Sequence, residues 1–221
     1  PRRGSSKASE APAAPFSARR YCAGGSSLGS RQLRFGTSGY NYPSWVGDYY
    51  PAGTKGKDMF PHYAAEFNTV EVNSTYYGIP EEHTFEAWRD AAPRPSFLFV
   101  LKANKFFTHM KKLCVDEAFK ERWATFWRRC RLLGRHLGPV LFQLPHFLKC
   151  DPGKLRSLAE TLPKNGRFVF EFRHPSWYCD EVYATLRRNG WCLANIHVNN
   201  SAGWMGSCES GWHPRAETYD P

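Results

Sequence analysis

From Leu33 onward, short apolar runs alternate with longer amphipathic stretches. Residues 34 to 36, 69 to 73, 97 to 102, 140 to 143, 168 to 173 and 192 to 198 read as strands. Between them, Phe60, Tyr63, Ala64 and Phe67 mark one helix face, and Phe119, Trp123, Phe126, Cys130 and Leu133 mark a longer one. Asp116-Glu117, Asp151-Pro152 and Asp180 are helix starts, and Gly190 is a helix stop. A chain that alternates strand and helix in this way must cross over between parallel strands. Two architectures remain, a doubly wound sheet or a TIM-type (β/α) barrel.

The turn after the first run separates them. A nucleotide-binding sheet would carry G-x-G-x-x-G there, whereas this chain has Gly-Thr-Ser-Gly leading into aromatics in "GTSGYNYPSW". Each run also gathers its polar residues toward its C-terminal end, which is the functional face of a barrel. The α/β barrel is therefore the expected fold.

Composition agrees with a single core-building domain. Of 221 residues, 42% are hydrophobic and 16% aromatic, which excludes disorder throughout. No apolar run approaches the roughly 20 residues of a membrane-spanning helix, so no membrane partner is expected. Seven cysteines, an odd number without a Cys-x-x-Cys pair, argue against a disulfide framework or a zinc knuckle.

The net charge of +10 is unevenly spread. Residues 1 to 33 carry six basic groups against Glu10 alone, and they are rich in Ser, Ala, Gly, Pro and Arg without apolar periodicity. This stretch reads either as a plastid or mitochondrial transit peptide or as a disordered extension on a cytoplasmic protein. Residues 34 to 221 form the folded domain.

Alternation within strands names a candidate site. In "FVFEFRHPSWY", Phe168, Phe170 and Phe172 point one way, and Val169, Glu171 and Arg173 the other. The face of Glu171 and Arg173 should also carry Glu71, Asn73, Lys102, Gln143, Asn195 and His197, each near the last residue of its strand. Val70, Val72, Leu101, Phe142, Phe172 and Ile196 should pack beneath the helices. Two carboxylates and two cations at one mouth suit acid/base chemistry. Glu71 or Glu171 is the general base, Lys102 an anion holder or Schiff-base nucleophile, Arg173 an anion holder, and Asn73 and Gln143 ligand-orienting amides. The same four charges, mutually balanced, could instead close the upper layer of a barrel.

His109 in "FFTHM" and His174 in "RHPSW" lie on loops past their strands, and Tyr40 and Trp177 are aromatic candidates for a flat ligand. No spacing such as H-E-x-x-H marks a metal site, and nothing in the pattern calls for a cofactor. The expected partner is a small anionic, sugar-like or nucleotide-like molecule. A competing reading is a nucleic-acid module using Arg122, Arg128, Arg129, Arg131 and Arg135 on one helix surface, and a third is a non-catalytic scaffold.

The segments "GTSGYNYPSW", "YYPAG", "VEVNSTYYGIP", "KANKFFTHMKKL", "LGPVLFQLP" and "FEFRHPSWY" resemble, in order, the motifs of the YecE-like family, domain of unknown function 72. The resemblance implies a TIM-type barrel and no assigned reaction. It also implies that this chain carries the first six strands of the barrel, with strands seven and eight lying outside it. The full-length protein is expected to be a monomer.

Overall fold

The computed structural model describes residues 33–196. The N-terminal segment and His197 with the residues after it lie outside that range. Five strands, β1 (Thr69–Val72), β2 (Leu98–Lys102), β3 (Leu137–Gln143), β4 (Phe168–Glu171) and β5 (Cys192–Leu193), form one sheet in the order β1-β2-β3-β4-β5. Every pairing is parallel.

Helices fill the connections. Helix α1 (Gly56–Glu66) precedes β1, α2 (Ser74–Tyr77) and α3 (Glu82–Ala91) link β1 to β2, and α4 (Glu117–Cys130) leads to β3. Helix α5 (Pro152–Thr161) leads to β4 and α6 (Asp180–Arg188) to β5. Their ends follow from local chemistry. The Asp116 carboxylate accepts the Phe119 N–H at 2.9 Å and the Asp151 carboxylate accepts that of Gly153 at 3.0 Å, each supplying a partner to an otherwise orphan helical donor. Gly190, at φ +63, reverses the chain after α6.

One face of the sheet makes the core. Val70, Val72, Phe99, Leu101, Val140, Phe142, Phe168, Phe170 and Phe172 are all buried. Phe119, Trp123, Phe126 and Cys130 press onto them from α4 at the spacing that the sequence requires. The opposite face carries Glu71, Val100, Lys102, Gln143 and Val169, only partly buried, with Glu171 nearly closed off.

Two strand assignments need correction. Residues 34 to 36 form no regular strand: the segment meets β1 through an isolated parallel bridge between Ser38 and Glu71 and through the Phe35 and Thr37 carbonyls, which accept the Asn68 and Glu71 amides at 3.2 and 3.0 Å. The Phe35 and Thr37 amides donate to the Asn68 side chain and the Tyr63 hydroxyl, each at 2.7 Å, which diverts them from a backbone ladder. Gly36 permits the close approach, since a Cβ there would lie 2.1 Å from the Thr69 carbonyl oxygen. The last strand ends at Leu193, and its register pairs Cys192 with Val169 on the ionic face. The alternation that carried Asn195 to that face therefore does not apply. Among the described residues, no helix is long and apolar enough to cross a membrane.

Candidate functional site

The polar residues at the C-terminal ends of β1 to β4 meet. Gln143 and Glu171 are register partners, and the Gln143 amide donates to Glu171 Oε2 at 2.8 Å. Arg173 Nε donates to Glu171 Oε1 at 2.8 Å. With both oxygens held and 7% of the residue exposed, the Glu171 side chain is fixed in position.

A second chain of contacts starts from β1. Lys102 Nζ stands 3.5 Å from Glu71 Oε1, and the Ser38 hydroxyl donates to the same oxygen at 2.9 Å. Asn73 Nδ2 donates to Ser38 Oγ at 2.9 Å. The order Asn73, Ser38, Glu71, Lys102 thus ties the Gly-Thr-Ser-Gly turn to two strands. Among the described residues, no donor reaches Glu71 Oε2. That carboxylate lines a cleft of ≈ 290 Å³ bounded by Tyr40, Asn41, Tyr42, Asn73 and Trp88.

The two halves are joined through Tyr76 and His109. Thr75 Oγ1 donates to the Lys102 carbonyl at 2.7 Å and Asn104 Nδ2 to the Thr75 carbonyl at 2.9 Å, which fixes α2 against the end of β2. Lys102 Nζ then lies 5.8 Å from the centre of the Tyr76 ring, and His109 meets that ring edge-on at 5.3 Å. Burial lowers the His109 pKa from its ordinary 6.5, and the charges of Arg173 and Lys102 lower it further. Burial also raises Tyr76, while Arg173 pulls it back.

His109 sits in a single π turn, Phe106–Met110, closed by Lys111 N donating to the Phe106 carbonyl at 2.8 Å. Lys112 and Leu113 follow at φ 50 and φ 62, a left-handed pair of non-glycine residues held by the complete burial of Leu113. Such a conformation costs on the order of 1–3 kcal/mol per residue, which the surrounding packing must offset.

The other expected residues divide. Tyr40 turns its ring onto Phe60 and Tyr63, at 5.1 and 5.8 Å, and also borders the cleft. His174 accepts the Ser176 N–H and so closes the turn before α6. Trp177 needs correcting as a ligand contact. It is fully buried, parallel to Phe172 at 4.8 Å, and its indole N–H donates to the Leu148 carbonyl. The basic surface of α4 is likewise partly consumed, because Arg128 pairs with Glu82 and Arg129 with Glu81. Ser38 and the π turn were not identified from the sequence. The Ser of the Gly-Thr-Ser-Gly turn was the available signal for the first.

A larger hollow of ≈ 520 Å³ lies between Ile79, Phe106 and Arg122 on the helical side. Glu121 is its only carboxylate, so the paired-charge chemistry is not there. Among the described residues, no group of His, Cys, Asp or Glu is arranged to hold a metal.

The family model described as "Protein of unknown function DUF72" matches residues 34–214. The UPF0759 protein YunF of Bacillus subtilis is 25% identical over 191 residues, 71% of this chain and 67% of that protein. The UPF0759 protein YecE of Escherichia coli K12 is 28% identical over 162 residues, 71% of this chain and 54% of that protein. This chain therefore spans about half the length of YecE. Among solved structures, a DUF72 family protein from Thermotoga maritima superposes with a TM-score of 0.70 at 29% identity, covering 86% of this chain and 72% of that one. Another from Enterococcus faecalis gives 0.62 at 20% identity over 75% and 61%, a likeness of fold alone.

Proposed function

The chain belongs to the DUF72 family of proteins of unknown function, and from that premise we propose that the mouth formed by β1 to β4 is a small-molecule enzyme site with Glu71 as general base. The observation that carries this reading is the unequal treatment of the two carboxylates. Glu171 is held on both oxygens, whereas Glu71 borders the cleft and, among the described residues, is partnered through Oε1 alone. A base needs one oxygen free to take a proton and a neighbour that fixes its direction. Ser38 and Lys102 supply the direction.

In this reading Glu171 anchors Arg173, and Arg173 with Lys102 holds an anionic group of the substrate. Asn73 and Gln143 orient it. His109 is a neutral imidazole near pH 7, set edge-on against Tyr76 and able to take up or give a proton. The sheet is the beginning of a (β/α) barrel. Strand order that follows the chain without reversal supports this over a doubly wound sheet, which has a switch point.

The test is conversion of a small-molecule metabolite pool by the full-length protein, followed by mass spectrometry, with Glu71→Gln as the comparison. Consumption that ceases in a Glu71→Gln protein of unchanged fold supports the reading. Unchanged consumption in that variant removes Glu71 from the chemistry.

A further inference from the structure

The end of the sheet opposite the mouth has its own chemistry. The helix-to-strand connections of residues 67–68, 92–97, 131–136, 162–167 and 189–191 carry Arg94, Arg131, Arg135, Lys164 and Arg167, and no acid. Much of this has a plain origin. These connections follow helix C-termini, where cations are favoured and carbonyls need donors. Arg94 donates to the Phe67 carbonyl at 2.6 Å, Lys164 to that of Ala159 at 3.0 Å, and Arg167 to that of Leu137.

Arg131 does not fit that pattern. It follows α4 directly, but among the described residues it meets neither a carboxylate nor a carbonyl. It borders a cleft of ≈ 400 Å³ with Trp127, Asn165, Gly166 and Arg167. Trp127 and Arg131 are one helical turn apart, so they share a face of the chain. The indole is fixed by Trp123, stacked at 5.8 Å and 14°, and by Phe168 at 5.7 Å. Gly134, at φ +54, turns the chain back along the cleft, and Gly166 lets the opposite wall approach, because a Cβ there would lie 2.4 Å from the Phe168 ring and 3.2 Å from Trp127. The positive field is crowded. Arg34 stands close enough to Arg167 for that charge to lower its pKa, although its own burial lowers it more.

We propose that this cleft binds a nucleoside monophosphate, with the phosphate between Arg131 and Arg167 and the base against Trp127. Two guanidinium groups bordering one cleft whose lining holds no carboxylate fit a dianion, and Asn165 offers both a donor and an acceptor for a base or sugar. The volume lies within the range of small-molecule sites. The site is independent of the mouth and needs no reaction there.

Calorimetric titration of the full-length protein with adenosine 5′-monophosphate, adenosine and inorganic phosphate tests this. The monophosphate should bind saturably, more tightly than inorganic phosphate, and adenosine should not bind. Arg131→Glu should weaken binding about tenfold or more while leaving the thermal midpoint near that of the parent, because Arg131 is exposed and unpaired. Arg131→Gln provides the same comparison if charge reversal disturbs the fold. No saturable binding, equal binding of adenosine or phosphate, or binding unaffected by either substitution would overturn the proposal. Mouth variants such as Glu71→Gln should leave this titration unchanged, which separates its failure from failure of the proposed activity.

Discussion

Gln143 and Glu171, register partners on adjacent strands, are joined by an amide-to-carboxylate hydrogen bond of 2.8 Å beneath an almost closed surface. The costs of removing the two members should not add. Gln143→Leu leaves Glu171 Oε2 without its donor and should destabilise the protein by about 1–3 kcal/mol in urea unfolding. Gln143→Leu combined with Glu171→Leu should lose less than the sum of the two single changes. Strict additivity would mean that the two side chains are not coupled.

The two ion pairs at the mouth should differ in strength. Glu171–Arg173 has side chains 9% and 28% exposed, whereas Glu71–Lys102 is longer, at 3.5 Å, with Glu71 22% exposed. Double-mutant cycles should give about 1 kcal/mol or less for the second pair and a larger coupling for the first. A larger coupling for Glu71–Lys102 would assign Glu71 to the fold and weaken its candidacy as a base.

Trp177 should behave as a core residue. Trp177→Ala removes a fully buried ring stacked on Phe172 and should cost about 3–5 kcal/mol in unfolding free energy. Trp177→Phe keeps the stacking but leaves the Leu148 carbonyl without the indole donor, at a cost of about 1 kcal/mol. A Trp177→Phe protein of parental stability would show that this hydrogen bond contributes nothing.

His109 makes stability depend on pH. Its folded pKa lies below the ordinary 6.5, so the unfolded chain binds more protons as pH falls past that value. The contribution is therefore complete above pH 6.5 and is lost as pH drops through the folded pKa. Urea unfolding across this range should show a slope with pH that flattens in His109→Asn. Identical slopes in parent and variant would mean that Arg173, Lys102 and burial do not act on this ring.

Period-two alternation was enough to bring Glu71, Lys102, Gln143, Glu171 and Arg173 to one end of the sheet, because strand geometry leaves side chains only two faces. It failed for Asn195, where the strand stops two residues earlier and alternation has no backbone to act on. Ser38 escaped notice for a different reason. Its bond to Glu71 joins positions 33 residues apart, and nothing local in a Gly-Thr-Ser-Gly turn announces its partner. Trp177 and Tyr40 both follow from aromatic loop motifs, yet one ring turns wholly inward and the other borders a cleft. Composition around a loop does not decide which way a ring packs. The π turn at His109 depends on the left-handed pair Lys112 and Leu113, a conformation that their residue types disfavour and only tertiary packing maintains.

The most direct measurement of the central claim is a thermal-shift screen of small anionic metabolites on the full-length protein and its Lys102→Met variant. A ligand at 100 times its dissociation constant stabilises by about 2.7 kcal/mol, a readily measured rise in the midpoint. The mouth as a ligand site predicts at least one metabolite that raises the midpoint of the parent and fails to do so in Lys102→Met. A library without effect on the parent, or a ligand that raises both midpoints equally, would contradict it and leave Glu71, Lys102, Glu171 and Arg173 as a structural charge network.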